Sequence, residues 1–124
     1  MFYAIYNNME YIKDKHRMHL CMAHIVFCPK YRKPVLTDNV ANRMEQIIYE
    51  LAKTRKWDIP NLTIQPEHVH IFLRFNVKES PHQVVKAIKG KTSNQLWTRS
   101  YFFATAGNVS SEIIQKYIEE QKGK

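Results

Sequence analysis

Residues 67–73 read Glu-His-Val-His-Ile-Phe-Leu, an apolar run with histidines at two alternate positions. In an extended chain residues i and i+2 point the same way, about 6.6 Å apart along the strand. His68 and His70 therefore share one face, and Val69 points to the other, into a core. A chain with this run must build a sheet that buries one side of the strand and leaves imidazoles on the other. Two imidazoles on one face can lean toward one divalent ion. They do not make a site alone, so a third ligand must come from elsewhere in the chain.

The remaining pattern supplies the rest of the sheet and its cover. Residues 19–28, His-Leu-Cys-Met-Ala-His-Ile-Val-Phe-Cys, predict a buried strand that Pro29 ends. Thr37 or Asp38 caps a helix to about Lys56, with Val40, Met44, Ile47, Ile48 and Leu51 at the 3.6-residue period. Residues 61–65 predict a strand, Pro66 and Glu67 a tight connection, and residues 68–75 the next strand. Ser80 and Pro81 open a second helix through about Leu96, with Val84, Val85 and Ile88 inward. Residues 101–105 form a short strand that Gly107-Asn108 breaks. Ser110 or Ser111 then starts a last helix with Ile113, Ile114, Tyr117 and Ile118 on one stripe. Residues 1–15 are assigned to no element. The order predicts an α+β fold, the ferredoxin-like (RRM-like) split βαββαβ antiparallel sheet with helices on one face, plus a C-terminal helix.

A chain of 124 residues is one domain with room for a core. Lys and Arg number 19 against 11 Asp and Glu, a formal charge of +8. That excess favours a polyanionic partner, nucleic acid before an anionic membrane surface. No apolar run reaches the roughly 18 residues that span a bilayer. Residues 1–14 lack the basic start and unbroken apolar stretch of a signal peptide, so a cytoplasmic protein without membrane or organic cofactor is expected. Cys21 and Cys28 lie seven apart, on opposite faces of one strand, and cannot bridge. Lys30, Arg32 and Lys33 after the first strand, Lys86, Lys89 and Lys91 on the second helix, and Arg99 before the last strand are candidate phosphate contacts. Phe72, Phe75, Phe102 and Phe103 alternate between the sheet faces; most belong to the core, with one or two left to stack on unpaired bases.

The last helix closes on Tyr117-Ile118-Glu119-Glu120-Gln121. Tyr117 and Gln121 are four apart and share a helix face. If that face meets the sheet at the histidines, the Gln121 amide oxygen is the third ligand and Tyr117 lies beside the ion. A phenol with a pKa of about 10 is a weak nucleophile at neutral pH. A metal that polarises a phosphate makes its attack feasible. The combination points to cutting and rejoining nucleic acid through a phosphotyrosine.

Four stretches in order carry a family resemblance: residues 19–36, ending Phe-Cys-Pro-Lys-Tyr-Arg-Lys-Pro-Val-Leu; residues 65–73, Gln-Pro-Glu-His-Val-His-Ile-Phe-Leu; residues 85–93, Val-Lys-Ala-Ile-Lys-Gly-Lys-Thr-Ser; and residues 97–121, with Trp-Thr-Arg-Ser-Tyr-Phe-Phe-Ala-Thr-Ala-Gly and Tyr-Ile-Glu-Glu-Gln. The chain resembles the single-tyrosine HUH transposases of minimal bacterial and archaeal insertion sequences, the TnpA type, with His68-Val69-His70 as the His-hydrophobic-His motif.

The resemblance implies one HUH transposase domain over 1–124, with an N-terminal extension at 1–17 and a tyrosine helix at 108–122. It implies Mg2+ or Mn2+ on His68, His70 and Gln121. Tyr117 then attacks single-stranded DNA to give a 5′-phosphotyrosine and a free 3′-OH, and a second 3′-OH resolves the link without ATP. It further implies a homodimer with merged sheets, hairpin recognition near element ends, and a pivot at Gly107 that lets the helix dock on the partner's histidines. Two departures stand out. The family usually carries a longer segment where Asn94-Gln95-Leu96 here runs straight into Trp97, and residues 1–17 exceed its usual start.

The runner-up is a non-catalytic relative that binds single-stranded or hairpin nucleic acid. An RNA-recognition module is disfavoured because its aromatic Lys/Arg-Gly-Phe/Tyr signature is absent from the strands. A His-x-His metallohydrolase lacks the carboxylate and cysteine ligands such sites draw on.

Overall fold

The computed structural model describes residues 20–76, 78–93, 95–105 and 111–123. The N-terminal extension, the Gly107-Asn108 break and Ser110 lie outside them. The elements are β1 (Leu20–Phe27), α1 (Asp38–Arg55), β2 (Asp58–Gln65), β3 (His68–Asn76), α2 (Pro81–Thr92), β4 (Phe102–Thr105) and α3 (Ser111–Glu120), with a 3-10 turn at Lys30–Arg32. The strands pair antiparallel in the order β2-β3-β1-β4. This is the ferredoxin-like arrangement, with α3 added after it.

Local chemistry sets most boundaries. α2 starts on a capping box: Gln83 N donates to Ser80 Oγ at 3.1 Å, and Ser80 N donates to Gln83 Oε1 at 2.8 Å, with Pro81 in the first turn. α1 ends on Lys56 in the left-handed region, φ 61°. The chain then enters β2 at once, three residues before the expected start. Pro60 lies inside β2, where an edge strand tolerates its missing N–H.

Two expectations are corrected. α2 stops at Thr92 rather than near Leu96. Residues 96–98 are held by the chain after β1 instead: Lys30 N donates to Leu96 O at 2.8 Å and Thr98 N to Cys28 O at 3.0 Å. Trp97 is buried there, edge-on to Phe27 with ring centroids 4.7 Å apart, and its indole N–H donates to Thr92 Oγ1 at 3.0 Å. Leu96, Trp97 and Thr98 are thus tied to the chain after β1 and to α2. On α1, Val40 is 50% exposed, and the inward stripe is Met44, Ile48, Leu51 and Ala52.

Strand alternation divides the core in two. Ala23, Ile25 and Phe27 of β1, Val69, Ile71, Leu73 and Phe75 of β3, and Phe103 of β4 pack under α1 and α2. The opposite face carries Val26, Cys28, Phe102 and Ala104, which pack with Tyr117 and Ile118 of α3. Cys21 and Cys28 fall on opposite faces, both as free buried thiols.

Candidate active site

The β3 alternation puts His68, His70 and Phe72 on the face that α3 covers in part, while Val69 and Ile71 are fully buried on the other. β1 connects the two halves of this face. Val26 pairs across to His70 on one side and to Phe102 on the other. Val26 also belongs to the apolar cluster that seats Tyr117. The histidine pair and the tyrosine helix therefore share a sheet face, with β1 between them and neighbouring strands about 4.8 Å apart.

Each histidine has a partner. His68 Nδ1 lies 3.0 Å from Glu67 Oε1. His70 Nε2 lies 3.0 Å from His24 Nδ1, and the His24 ring stacks on Phe72 with centroids 4.5 Å apart. Burial, with the neighbouring imidazoles of His24 and His68, holds the His70 pKa down to about 4. Burial also lowers that of His24. His70 is therefore neutral at physiological pH, with one ring N–H and one ring lone pair.

Tyr117 and Gln121 are both 2% exposed and meet at one residue, Ser100. Ser100 Oγ donates to Gln121 Oε1 at 2.9 Å and lies 3.0 Å from Tyr117 Oη. A serine hydroxyl has one proton. With that proton on Gln121, the Tyr117 hydroxyl donates to Ser100. Gln121 Nε2 donates to Tyr117 O at 3.3 Å, which fixes the amide's orientation. Burial pushes the Tyr117 pKa up to about 12, and the Ser100 hydrogen bond offsets part of that rise. The amide expected beside the histidines is thus turned to Ser100, and among the described residues no three His, Cys, Asp or Glu side chains converge on one point.

The candidate basic residues divide. Lys30 and Arg99, with Tyr31, Thr98, Ser100 and Gln121, line a cleft of about 370 Å³ beside the tyrosine. Arg32 pairs with Glu119 of α3 at 3.3 Å. Lys86 and Lys91 are exposed on α2, in the layer behind the sheet. Lys89 points inward and donates to Thr98 O at 2.7 Å and Ser100 O at 2.9 Å, with its pKa lowered by burial to about 8. Of the four phenylalanines considered for base stacking, Phe75, Phe102 and Phe103 are core; Phe72 is half-buried.

Three residues were missed in the sequence: Ser100, His24 and Glu67. Ser100 and Glu67 stand inside the quoted motifs, and His24 lies on the same strand parity as Val26. Only the pairing of β1 with β3, over a separation of 46 residues, brings His24 to His70.

A family model described as "Transposase IS200 like" matches residues 17–96 and 92–121. The chain belongs to the IS200-like transposase family. The two matched stretches overlap at residues 92–96, between the end of α2 at Thr92 and Trp97. Among relatives, ISDra2 transposase TnpA of Deinococcus radiodurans is 29% identical over 117 residues, 82% of this chain and 84% of that protein. The transposase for insertion sequence element IS200 of Salmonella typhimurium is 26% identical over 117 residues, 82% of this chain and 76% of that protein. A solved structure of a putative transposase from Deinococcus radiodurans superposes with a TM-score of 0.77 at 26% identity, covering 91% of this chain and 99% of that one. A REP-associated tyrosine transposase bound to a REP hairpin superposes at 0.59 with 14% identity, over 93% of this chain and 68% of that one, a likeness of fold.

Proposed function

We propose that this transposase cleaves and rejoins single-stranded DNA through a 5′-phosphotyrosine on Tyr117, with Mg2+ or Mn2+ held by His68, His70 and Gln121, and so mobilises an insertion sequence. The observation that carries the reading is the sharing of one sheet face by His70 and Tyr117, one strand apart, in a member of this family. The donor set would hold a divalent ion: His68 and His70 would supply imidazole nitrogens, and Gln121, once off Ser100, an amide oxygen of the kind such ions take. A bound divalent ion supplies the charge that polarises the scissile phosphate.

The chain's own residues do the rest. Tyr117 Oη bonds to phosphorus as the P–O3′ bond breaks. The phenol proton passes to solvent water and the departing 3′-oxygen takes one from water, giving a free 3′-OH. A second 3′-OH reverses these steps at the phosphotyrosine, so no ATP is needed. With its proton donated to Ser100 and its pKa pushed up by burial to about 12, Tyr117 is a protonated phenol in this arrangement. Tyr117 and Gln121 sit one turn apart on the same serine, so breaking the Ser100 contact frees the nucleophile and the third donor together. α3 then docks on the histidines of its own chain or of a second copy. A homodimer joined at sheet edges suits this step, with β2 and β4 the outer strands of the sheet among the described residues. Single-stranded or hairpin DNA fits the +8 charge and the cleft at Lys30 and Arg99, and its affinity falls steeply with added salt.

A second reading, a non-catalytic binder of single-stranded or hairpin nucleic acid, is favoured by the sealed contact of Tyr117 with Ser100. One experiment separates them. Hairpin-bearing single strands labelled on the 3′ side of the break, whose 5′ phosphate the tyrosine retains, are incubated with Mn2+ and resolved under denaturing conditions. A covalent adduct in wild type that vanishes in Tyr117→Phe supports the transposase; binding without an adduct on any hairpin supports the binder.

A further inference from the structure

The two histidines reach their partners through different ring nitrogens. His68 meets Glu67 through Nδ1, and His70 meets His24 through Nε2, each at 3.0 Å. A neutral imidazole has one N–H and one lone pair, on opposite sides of the ring. A carboxylate accepts only, so His68 Nδ1 carries the proton and its lone pair is on Nε2. Between His24 and His70 a single proton is shared, and there are two ways to place it. If His24 donates, the His70 lone pair lies on Nε2 and is already taken, which leaves His70 nothing to offer a cation. If His70 donates from Nε2, its lone pair is on Nδ1 and free. Ligation by His70 with this hydrogen bond intact therefore requires the second arrangement.

We propose that Glu67 and His24 are positioning residues that fix opposite tautomers in the two histidines, so that His68 presents Nε2 and His70 presents Nδ1 to the ion. The proposal rests on the reading that these histidines bind a divalent cation. It gives a role to a third imidazole that stands against His70, where among the described residues no triple of ligand-type side chains converges. It also gives Phe72 a task, since His24 is held flat against that ring, 18° from parallel, and its Nδ1 is thereby aimed. Outer partners of this kind set the ring orientation and basicity of a ligand, and their loss typically costs about 10- to 100-fold in metal affinity.

The test uses the full chain with Mn2+ alone. In protein whose histidines carry 15N only at Nδ1, pulsed electron paramagnetic resonance of the bound Mn2+ should count one 15N and one 14N ligand. Two ligands of the same isotope, or three imidazole nitrogens, overturn the proposal. Calorimetric titration supplies the second arm. His24→Phe keeps a ring on Phe72 but removes the acceptor, and should weaken Mn2+ binding about 10- to 100-fold. Glu67→Ala should weaken it as well, with Glu67→Gln, which keeps an acceptor oxygen, restoring much of the loss. Wild-type affinity in both His24→Phe and Glu67→Ala, with binding still lost in His68→Ala, overturns the positioning roles and leaves the metal reading standing. No Mn2+ binding by wild type, or none lost in His68→Ala and His70→Ala, overturns both. Melting of each metal-free variant establishes that it is folded; should His24→Phe fail to fold, the isotope count on wild type decides.

Discussion

The two faces of the sheet are cut from the same strands and differ in almost every physical respect. Beneath α1 and α2, alternate residues of β1 and β3 are fully buried aliphatics and phenylalanines, and the contact is continuous. On the other face the intervening positions of β3 are His68, His70, Phe72 and Arg74, those of β1 are Met22, His24 and Val26, and among the described residues α3 covers the side over β1 and β4. The first face is where folding free energy comes from, at about 25 cal/mol per Å² of apolar surface removed from water. The second gives up that gain in the space over β3, where imidazoles stay half-open. Strand alternation lets one segment serve both purposes, because a substitution at residue 70 or 71 addresses one face and leaves the other intact.

The comparison breaks most visibly in activity. His68→Ala and Tyr117→Phe should each abolish the covalent adduct on a hairpin substrate while circular dichroism and melting stay close to wild type. Tyr117→Phe loses one buried hydrogen bond, worth about 1 kcal/mol. An adduct that persists in Tyr117→Phe would disprove the nucleophile assignment. Ile71→Ala, next in sequence to His70 but on the other face, should do the opposite. It should cost about 2–5 kcal/mol of stability in denaturant titrations, through lost transfer energy and the cavity left behind. A stability cost at His68 as large as that at Ile71 would collapse the division of labour between faces.

How far this division was readable in the sequence follows from range. The period-2 run at residues 68–75 fixed the faces of β3, and the i, i+4 spacing put Tyr117 with Gln121, both of which the structure bears out. Pro66-Glu67 forms the tight turn expected between β2 and β3. These features depend on neighbours within a few residues. The unreadable ones depend on register between distant segments. His24 meets His70 only through β1–β3 pairing, and Ser100 receives the tyrosine only because α3 packs over β4. The end of α2 failed for the same reason: propensity carries the helix to Leu96, but pairing of residues 96–98 with the chain after β1 wins. The pattern of a helix shows which face it buries, not the polar group it will meet.

A smaller effect should appear in acid. The His70 pKa is lowered from 6.5 to about 4, chiefly by burial, so between those values the unfolded chain binds a proton that the folded chain refuses. Stability that this group contributes is present above about pH 6.5 and is lost as pH falls toward 4. His24, lowered by burial too, adds in the same direction. Denaturant midpoints of wild type should therefore drop between pH 6.5 and 4.5 more than those of His70→Asn, measured without metal. Equal slopes would show that the open face does not hold its imidazoles neutral.

The smallest effect expected concerns what keeps α3 on the sheet. Besides the Ser100 hydrogen bonds, two kinds of contact hold it: the apolar cluster of Ile114, Tyr117 and Ile118 against Val26, Phe102 and Ala104, and the ion pair of Arg32 with Glu119. The Glu119 side chain is 57% exposed, so water and salt screen the pair, and such contacts are worth about 0.2–1 kcal/mol. Glu119→Gln should thus shift stability by less than 1 kcal/mol, and the shift should fade as salt is raised. Ile118 is 3% exposed, and Ile118→Ala should cost about 2–5 kcal/mol of local stability, read as faster hydrogen exchange along α3. The two substitutions differ in consequence if, as proposed, the helix leaves Ser100 to reach the histidines. If charge holds the helix, Glu119→Gln and high salt would speed exchange in α3 as much as Ile118→Ala does. If apolar contact holds it, as the burial of Tyr117 and Ile118 argues, only Ile118→Ala will, and freeing Arg32 will leave α3 seated with its guanidinium available to a phosphate.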